Sequence, residues 1–213
     1  RLLPSLGGYA YAVRDNMVYV NLYIAGRASF QFKEMRLSLE QHTEYPWDGN
    51  IQITVTPEKP SEFELRLRVP CWALGKPVPE DLYYYENRTV NAPVRISVNG
   101  AEASVAVDQN GYISLPRVWS EGDLVTLELP MPVQYVSAHE AVEQNRGYLA
   151  VERGPIVYCA EGADNGGKVG HRFLRQDTLL EPCKEEILPG TVVTALTGWG
   201  NAVYQDAPDQ PER

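Results

Sequence analysis

Apolar and polar residues alternate with a period of two along most of this chain. In "MVYVNLY" the pattern sets Val18, Val20 and Leu22 on one face and Tyr19, Asn21 and Tyr23 on the other. "IQITV" sets Ile51, Ile53 and Val55 against Gln52 and Thr54, and "FELRLRV" sets Phe63, Leu65, Leu67 and Val69 against Glu64, Arg66 and Arg68. "VRISVNG" and "LVTLELP" repeat it. Strict alternation predicts strands with one face on a core and one in water, the habit of antiparallel sheets. Turn signals separate the runs: "WDGN" at 47–50, "NG" at 99–100, "QNG" at 109–111 and "EGD" at 121–123. "RISVNGAEASVAV" predicts a hairpin turning at Asn99-Gly100. Many short strands at this spacing predict an all-β fold, an antiparallel β-sandwich.

Two stretches break the rhythm. Residues 74–93, "LGKPVPEDLYYYENRTVNAP", read as a long loop or insertion. Residues 148–160 are nearly continuously apolar and read as a strand covered on both faces. The change in pattern after "LPMPV" sets a boundary near residue 134, giving two packed β domains, 13–133 and a smaller 134–205. Residues 206–213, from "QDAPDQPER", read as a tail or linker. The chain does not begin with Met, and the expectation is a piece of a longer protein.

Composition narrows the function classes. A net charge of −9 argues against a nucleic-acid partner, which would require a basic patch. No apolar stretch approaches the roughly 20 residues that a membrane-spanning helix needs, so no membrane partner is expected. Cys71, Cys159 and Cys183 are odd in number and lack C-x-x-C spacing, which argues against a disulfide scaffold or a zinc site. They read as buried free thiols.

Candidate chemistry is sparse. G-x-S-x-G, P-loop, G-x-G-x-x-G and H-E-x-x-H motifs are absent, and His42, His139 and His171 share no metal-ligand spacing. With 28 Asp and Glu residues, no carboxylate pair can be singled out for glycosidic work. In "VERGPIVYCAEGADN" no cation adjoins Cys159 to lower its pKa, and Glu161 and Asp164 oppose a thiolate, so Cys159 reads as core. Gly154-Pro155 in the same stretch reads as a bulge or kink. Trp72 and Trp119 stand at strand ends beside turns and read as sandwich core. Trp47 and Trp199 are further aromatics able to stack on sugar rings, and Tyr83, Tyr84 and Tyr85 are the carbohydrate-contact candidates. Asn87-Arg88-Thr89 fits the N-glycosylation triplet.

Several strings in order carry a resemblance: "LGGYAYAV…VYVNLYI", "EYPWDGNIQITV", "LRLRVPCWA", "VRISVNG", "GYISLPRVWSEGDLVTLELPMPV" and "YLAVERGPIVYCAEGAD". Through about residue 165 the chain resembles the C-terminal part of the bacterial β-L-arabinofuranosidases of glycoside hydrolase family 127. The resemblance implies an (α/α)₆ barrel followed by β-sandwich domains. It places a zinc-bound cysteine nucleophile and a glutamate acid/base in the barrel, the cysteine in a Cys-Cys-Pro run just before the point matching "RLLPSLGGY". No position here corresponds to the nucleophile, the acid/base or a zinc ligand. The expectation is therefore no catalytic residue, no metal ligand and no cofactor in this chain, with zinc belonging to the barrel. Residues 1–12 would be the remnant of the last barrel helix. The implied partner is the chain's own (α/α)₆ barrel, and a sheet edge left open would allow pairing with another chain. The resemblance implies a non-catalytic accessory portion of a retaining glycoside hydrolase acting on arabinofuranosides or related plant-polysaccharide sugars. A carbohydrate-binding module using exposed Tyr and Trp, and a plain interaction sandwich, stay open beside it. Cytoplasm and periplasm of a bacterium stay open as compartments.

Overall fold

The computed structural model describes residues 5–86, 92–104, 106–163, 165–167, 169–170, 172–174 and 178–202. His171, Asp164, the Asn87–Thr89 triplet and the tail lie outside the described residues. The chain divides into two compact units, Arg1–Pro79 with Val90–Pro132, and Glu80–Thr89 with Val133–Arg213.

The first unit is a β-sandwich. One sheet holds β1 (Tyr11–Arg14), β2 (Met17–Val20), β6 (Ser61–Arg68) and β10 (Tyr112–Trp119), in that order. The other runs β3 (Gly26–Phe32), β4 (Met35–Thr43), β5 (Asn50–Pro57), β11 (Asp123–Glu128), β8 (Arg95–Val98) and β9 (Ala101–Glu102). All of these pairings are antiparallel except β2 with β6, which is parallel. A single helical turn, α1 (Gly7–Ala10), precedes β1.

The alternation read in the sequence decides which residues are inside. Val18, Val20, Leu65, Leu67, Ile113 and Leu115 from one sheet meet Leu37, Leu39, Ile51, Ile53, Val125 and Leu127 from the other in one buried cluster. Aromatic rings join the two layers: Phe32 and Phe63 lie 5.1 Å apart, and Phe63 stacks on Trp119 at 5.8 Å. Trp119 is fully buried and its indole N–H donates to the Phe63 carbonyl at 3.1 Å, so the one polar atom of this core ring is satisfied. Trp72 is buried in the same cluster.

Several local readings are corrected. The alternation of "MVYVNLY" stops at Val20, where β2 ends, so Tyr23 does not share the outer face with Tyr19. Tyr23 is buried instead, its hydroxyl donating to the Arg68 carbonyl. Burial pushes its pKa far above the ordinary phenol value, and the hydrogen bond satisfies the buried neutral hydroxyl. Residues 74–93 are not one loop: after a 3₁₀ turn at Cys71–Leu74, Tyr83–Tyr85 forms a strand, β7.

In the second unit, β7 joins β12 (Val133–Ala138), β13 (Ala150–Arg153) and β14 (Ile156–Tyr158) in a sheet ordered β14-β13-β12-β7. A short 3₁₀ turn, Glu143–Asn145, lies between β12 and β13. Strands β15 (Arg172–Phe173) and β18 (Asn201–Ala202) pair with each other, as do β16 (Leu180–Leu188) and β17 (Thr191–Gly198). Residues 148–160 are thus two strands, not one covered strand. Arg153 faces Ile156 across a two-residue loop in which Gly154 has φ 59°. A type II′ hairpin needs a positive φ at its first central residue, and the following proline fits the second. Gly154-Pro155 is a turn and neither a bulge nor a kink.

Candidate functional site

The three consecutive tyrosines do not share one face. Successive strand residues point to opposite faces of a sheet, so β7 places Tyr83 and Tyr85 on one face and Tyr84 on the other. The pairings Tyr85–Val136, Tyr84–Ser137 and Tyr83–Ala138 fix this register. Tyr83 and Tyr85 are half-buried and already bonded. Asn145 Nδ2 donates to the Tyr83 hydroxyl at 3.2 Å, and the Tyr85 hydroxyl donates to Glu152 Oε2 at 3.3 Å. Tyr84 alone is exposed, at 47%.

Glu152 is the buried carboxylate of the second unit among the described residues. It pairs across the ladder with Gln134, also buried, and with Val157 on the other side. Burial raises its pKa, and the hydrogen bond from Tyr85 only partly offsets this.

A denser polar arrangement lies on the outer face of β2, β6 and β10 in the first unit. The Arg66 guanidinium lies beside the edge-to-face pair of Tyr19 and Tyr112, 5.4 and 5.7 Å from their ring centroids, which are 5.3 Å apart. Its Nε lies 3.2 Å from Glu64 Oε1, its Nη2 contacts Asp108 Oδ2, and its Nη1 donates to the Tyr19 hydroxyl at 3.3 Å. Ser114 donates to Glu64 at 2.6 Å, and the Tyr112 hydroxyl donates to Asn21 Oδ1 at 2.8 Å. The backbone N–H of Tyr112 holds Asp108 below the usual carboxylate range, with the N–H of Asn110 and the charge of Arg66 adding to the effect. The hydrogen bond to the Tyr19 hydroxyl leads the groups that hold the Arg66 pKa up. Alternation in the sequence indicated that Tyr19, Glu64 and Arg66 face outward. It gave no sign that Tyr112 and Asp108 close over them, because those residues come from a hairpin more than 40 positions further on. Every charge in this cluster is answered by a neighbour. The geometry is that of a clamp across three strands.

The cysteines are placed differently from the sequence reading. Cys159 is exposed, and Cys71 and Cys183 are half-buried. The apolar run "PIVY" ends with the short strand β14 at Tyr158, so Cys159 leaves the sheet instead of entering a core. Cys71 opens the 3₁₀ turn, where its thiol contacts the Pro77 carbonyl at 3.8 Å. His42, 3.4 Å from Glu40, and His139, whose Nδ1 accepts from the Ala141 N–H, are both exposed. Trp199 is 92% exposed and Trp47 half-buried. Among the described residues, no group of three or more His, Cys, Asp or Glu side chains could hold a metal ion.

A β-sandwich followed by a smaller β unit defines the class: an all-β protein of two units. Residues 17–131 match the "Beta-L-arabinofuranosidase, GH127 middle domain", and residues 133–199 match the "Glycoside hydrolase family 127 C-terminal domain". The chain belongs to glycoside hydrolase family 127. It is 34% identical over 174 residues to the non-reducing end β-L-arabinofuranosidase of Bifidobacterium longum subsp. longum, a match covering 78% of this chain and 23% of that protein. The crystal structure of a GH127 β-L-arabinofuranosidase from Geobacillus stearothermophilus T6 superposes with a TM-score of 0.82 at 33% identity, over 100% of this chain and 31% of that one. A second solved GH127 β-arabinofuranosidase gives 0.84 at 35% identity, over 94% and 34%. The chain therefore spans about a quarter to a third of the length of these relatives.

Proposed function

We propose that this chain is a non-catalytic accessory portion of a retaining glycoside hydrolase that acts on arabinofuranosides or related plant-polysaccharide sugars. The observation that carries the reading is the pair of domain matches. Middle and C-terminal domains of the family account for residues 17–131 and 133–199, and the relatives extend well beyond that length. In this reading nucleophile, acid/base and zinc belong to the (α/α)₆ barrel, and the two β units support it. The second unit adds to the case. Tyr148, Val157, Leu179, Leu188, Val192 and Trp199 are each more than half exposed, and so much uncovered apolar side chain suits a surface that a larger protein conceals.

The rival from another class is a carbohydrate-binding module. A stacking platform needs aromatic rings that share a face, and β7 leaves Tyr84 on its own. Calorimetric titration with arabino-oligosaccharides separates the two. The accessory reading expects no heat of binding. Heat that Tyr84→Ala abolishes would show a binding module instead.

A further inference from the structure

Backbone direction along β10 points to a device that keeps its free edge closed. In a strand the N–H and C=O of one residue point to the same side, and successive residues point to opposite sides. The Glu64 N–H donates to the Asn16 carbonyl at 3.0 Å, so the even residues of β6 face β2. The Val69 N–H donates to the Gly111 carbonyl at 2.7 Å, so its odd residues face β10. The register Leu67–Ile113, Leu65–Leu115 and Phe63–Arg117 then makes the odd residues of β10 the ones bonded to β6. Tyr112, Ser114, Pro116 and Val118 turn their backbone groups outward. Tyr112 confirms the direction: its N–H donates to Asp108 Oδ1 at 2.9 Å and its carbonyl accepts from the Asp108 N–H at 2.8 Å.

Among the described residues β10 has no second strand partner beyond this local closure, which the bridge between Val107 and Ile113 completes. The remaining edge is the stretch around Pro116 and Val118, both exposed. A proline is tolerated in an edge strand when its missing N–H faces away from the ladder, and here that is where it faces. Of the two outward positions left, one has no donor. Val118 is also 55% exposed, so without the proline this segment would present a β-branched, donor-bearing edge of the kind that pairs between molecules. The long edge strand of the other sheet, β3, has no proline.

We propose that Pro116 blocks β10 from accepting the same strand of a second copy of this chain. Restoring the N–H should open the edge without touching the core, because residue 116 lies on the outer face. The test is sedimentation of the 213-residue chain beside its Pro116→Val, Pro116→Thr and Pro116→Ala variants over a range of concentrations, with amide hydrogen exchange at Val118. Self-association should strengthen by about two- to tenfold for each backbone hydrogen bond regained, in all three variants. Exchange at Val118 should slow as the concentration rises. Folded variants that sediment like the parent would overturn the proposal. So would association that leaves Val118 exchange unchanged, and so would loss of the fold in all three, which would make the proline a requirement of the sandwich itself.

Discussion

Glu152 and Asp108 show how position sets the sign of a carboxylate's contribution. Asp108 has its pKa lowered by the Tyr112 N–H and its other partners, so it stabilises the first unit above the ordinary carboxylate range. That contribution is lost as pH falls through the lowered value. Glu152 is the reverse case: burial raises its pKa, so its favourable contribution is complete below the ordinary carboxylate range and is lost as pH rises through the raised value. At neutral pH the second unit therefore carries the cost of a buried carboxyl whose charged form burial disfavours. Glu152→Gln keeps an acceptor for the Tyr85 hydroxyl and removes the charge. Thermal unfolding should find this variant more stable than the parent by a few degrees at pH 7. The gap should close when both are measured below the carboxylate range, and a gap that stays the same at both pH values would show that ionisation is not its source.

Turns do as much as strands to fix the elements. Asn99 and Gly100 have φ of 52° and 79°, the left-handed pair that a two-residue type I′ hairpin requires, and Val98 faces Ala101 across them. Asn99 Nδ2 also donates to Asp123 Oδ1 at 2.8 Å, tying this turn to the start of β11. Burial pushes Asp123 up, but the bonds from Asn99 and the Ser120 N–H outweigh it, and the carboxyl ends below its usual range. Gly49 is held differently. A Cβ there would lie 1.9 Å from the Leu129 carbonyl oxygen, in the segment whose N–H donates to the Gly49 carbonyl at 2.9 Å. Gly49→Ala should cost about 1–3 kcal/mol, since backbone must shift to admit the methyl group. Urea unfolding of the variant measures this, and an unchanged midpoint would show that the segment yields freely. The Asn99-Gly100 turn and the inward residues of β5 and β6 were legible in the sequence because both depend on local chemistry and a fixed period. The β7 pairing was not, since its partner β12 lies about 50 residues away and supplies the ladder that turns a tyrosine run into a strand. For the same reason the outward face of Arg66 could be read, but not its clamp by Asp108 and Tyr112. Cys159 misled because an apolar run looks alike whether it continues into a core or ends three residues past a hairpin turn.

At the scale of the whole molecule, the two units are unequal. The first has a buried cluster of 24 hydrophobic side chains drawn from both sheets. In the second, buried hydrophobic residues among the described ones are Tyr135, Val136 and Val151, beside the polar Gln134, Glu152 and Thr194. A core of that size beside so many exposed apolar side chains fits a unit that serves as part of a larger enzyme. The family assignment rests on domain matches across 17–131 and 133–199, and the proposed accessory role puts catalysis outside these residues. The most direct test is turnover of an aryl β-L-arabinofuranoside by the purified 213-residue chain, with and without added zinc. The account predicts no release of the aryl group above the uncatalysed rate in either condition. Release that rises in proportion to the concentration of this chain would contradict it.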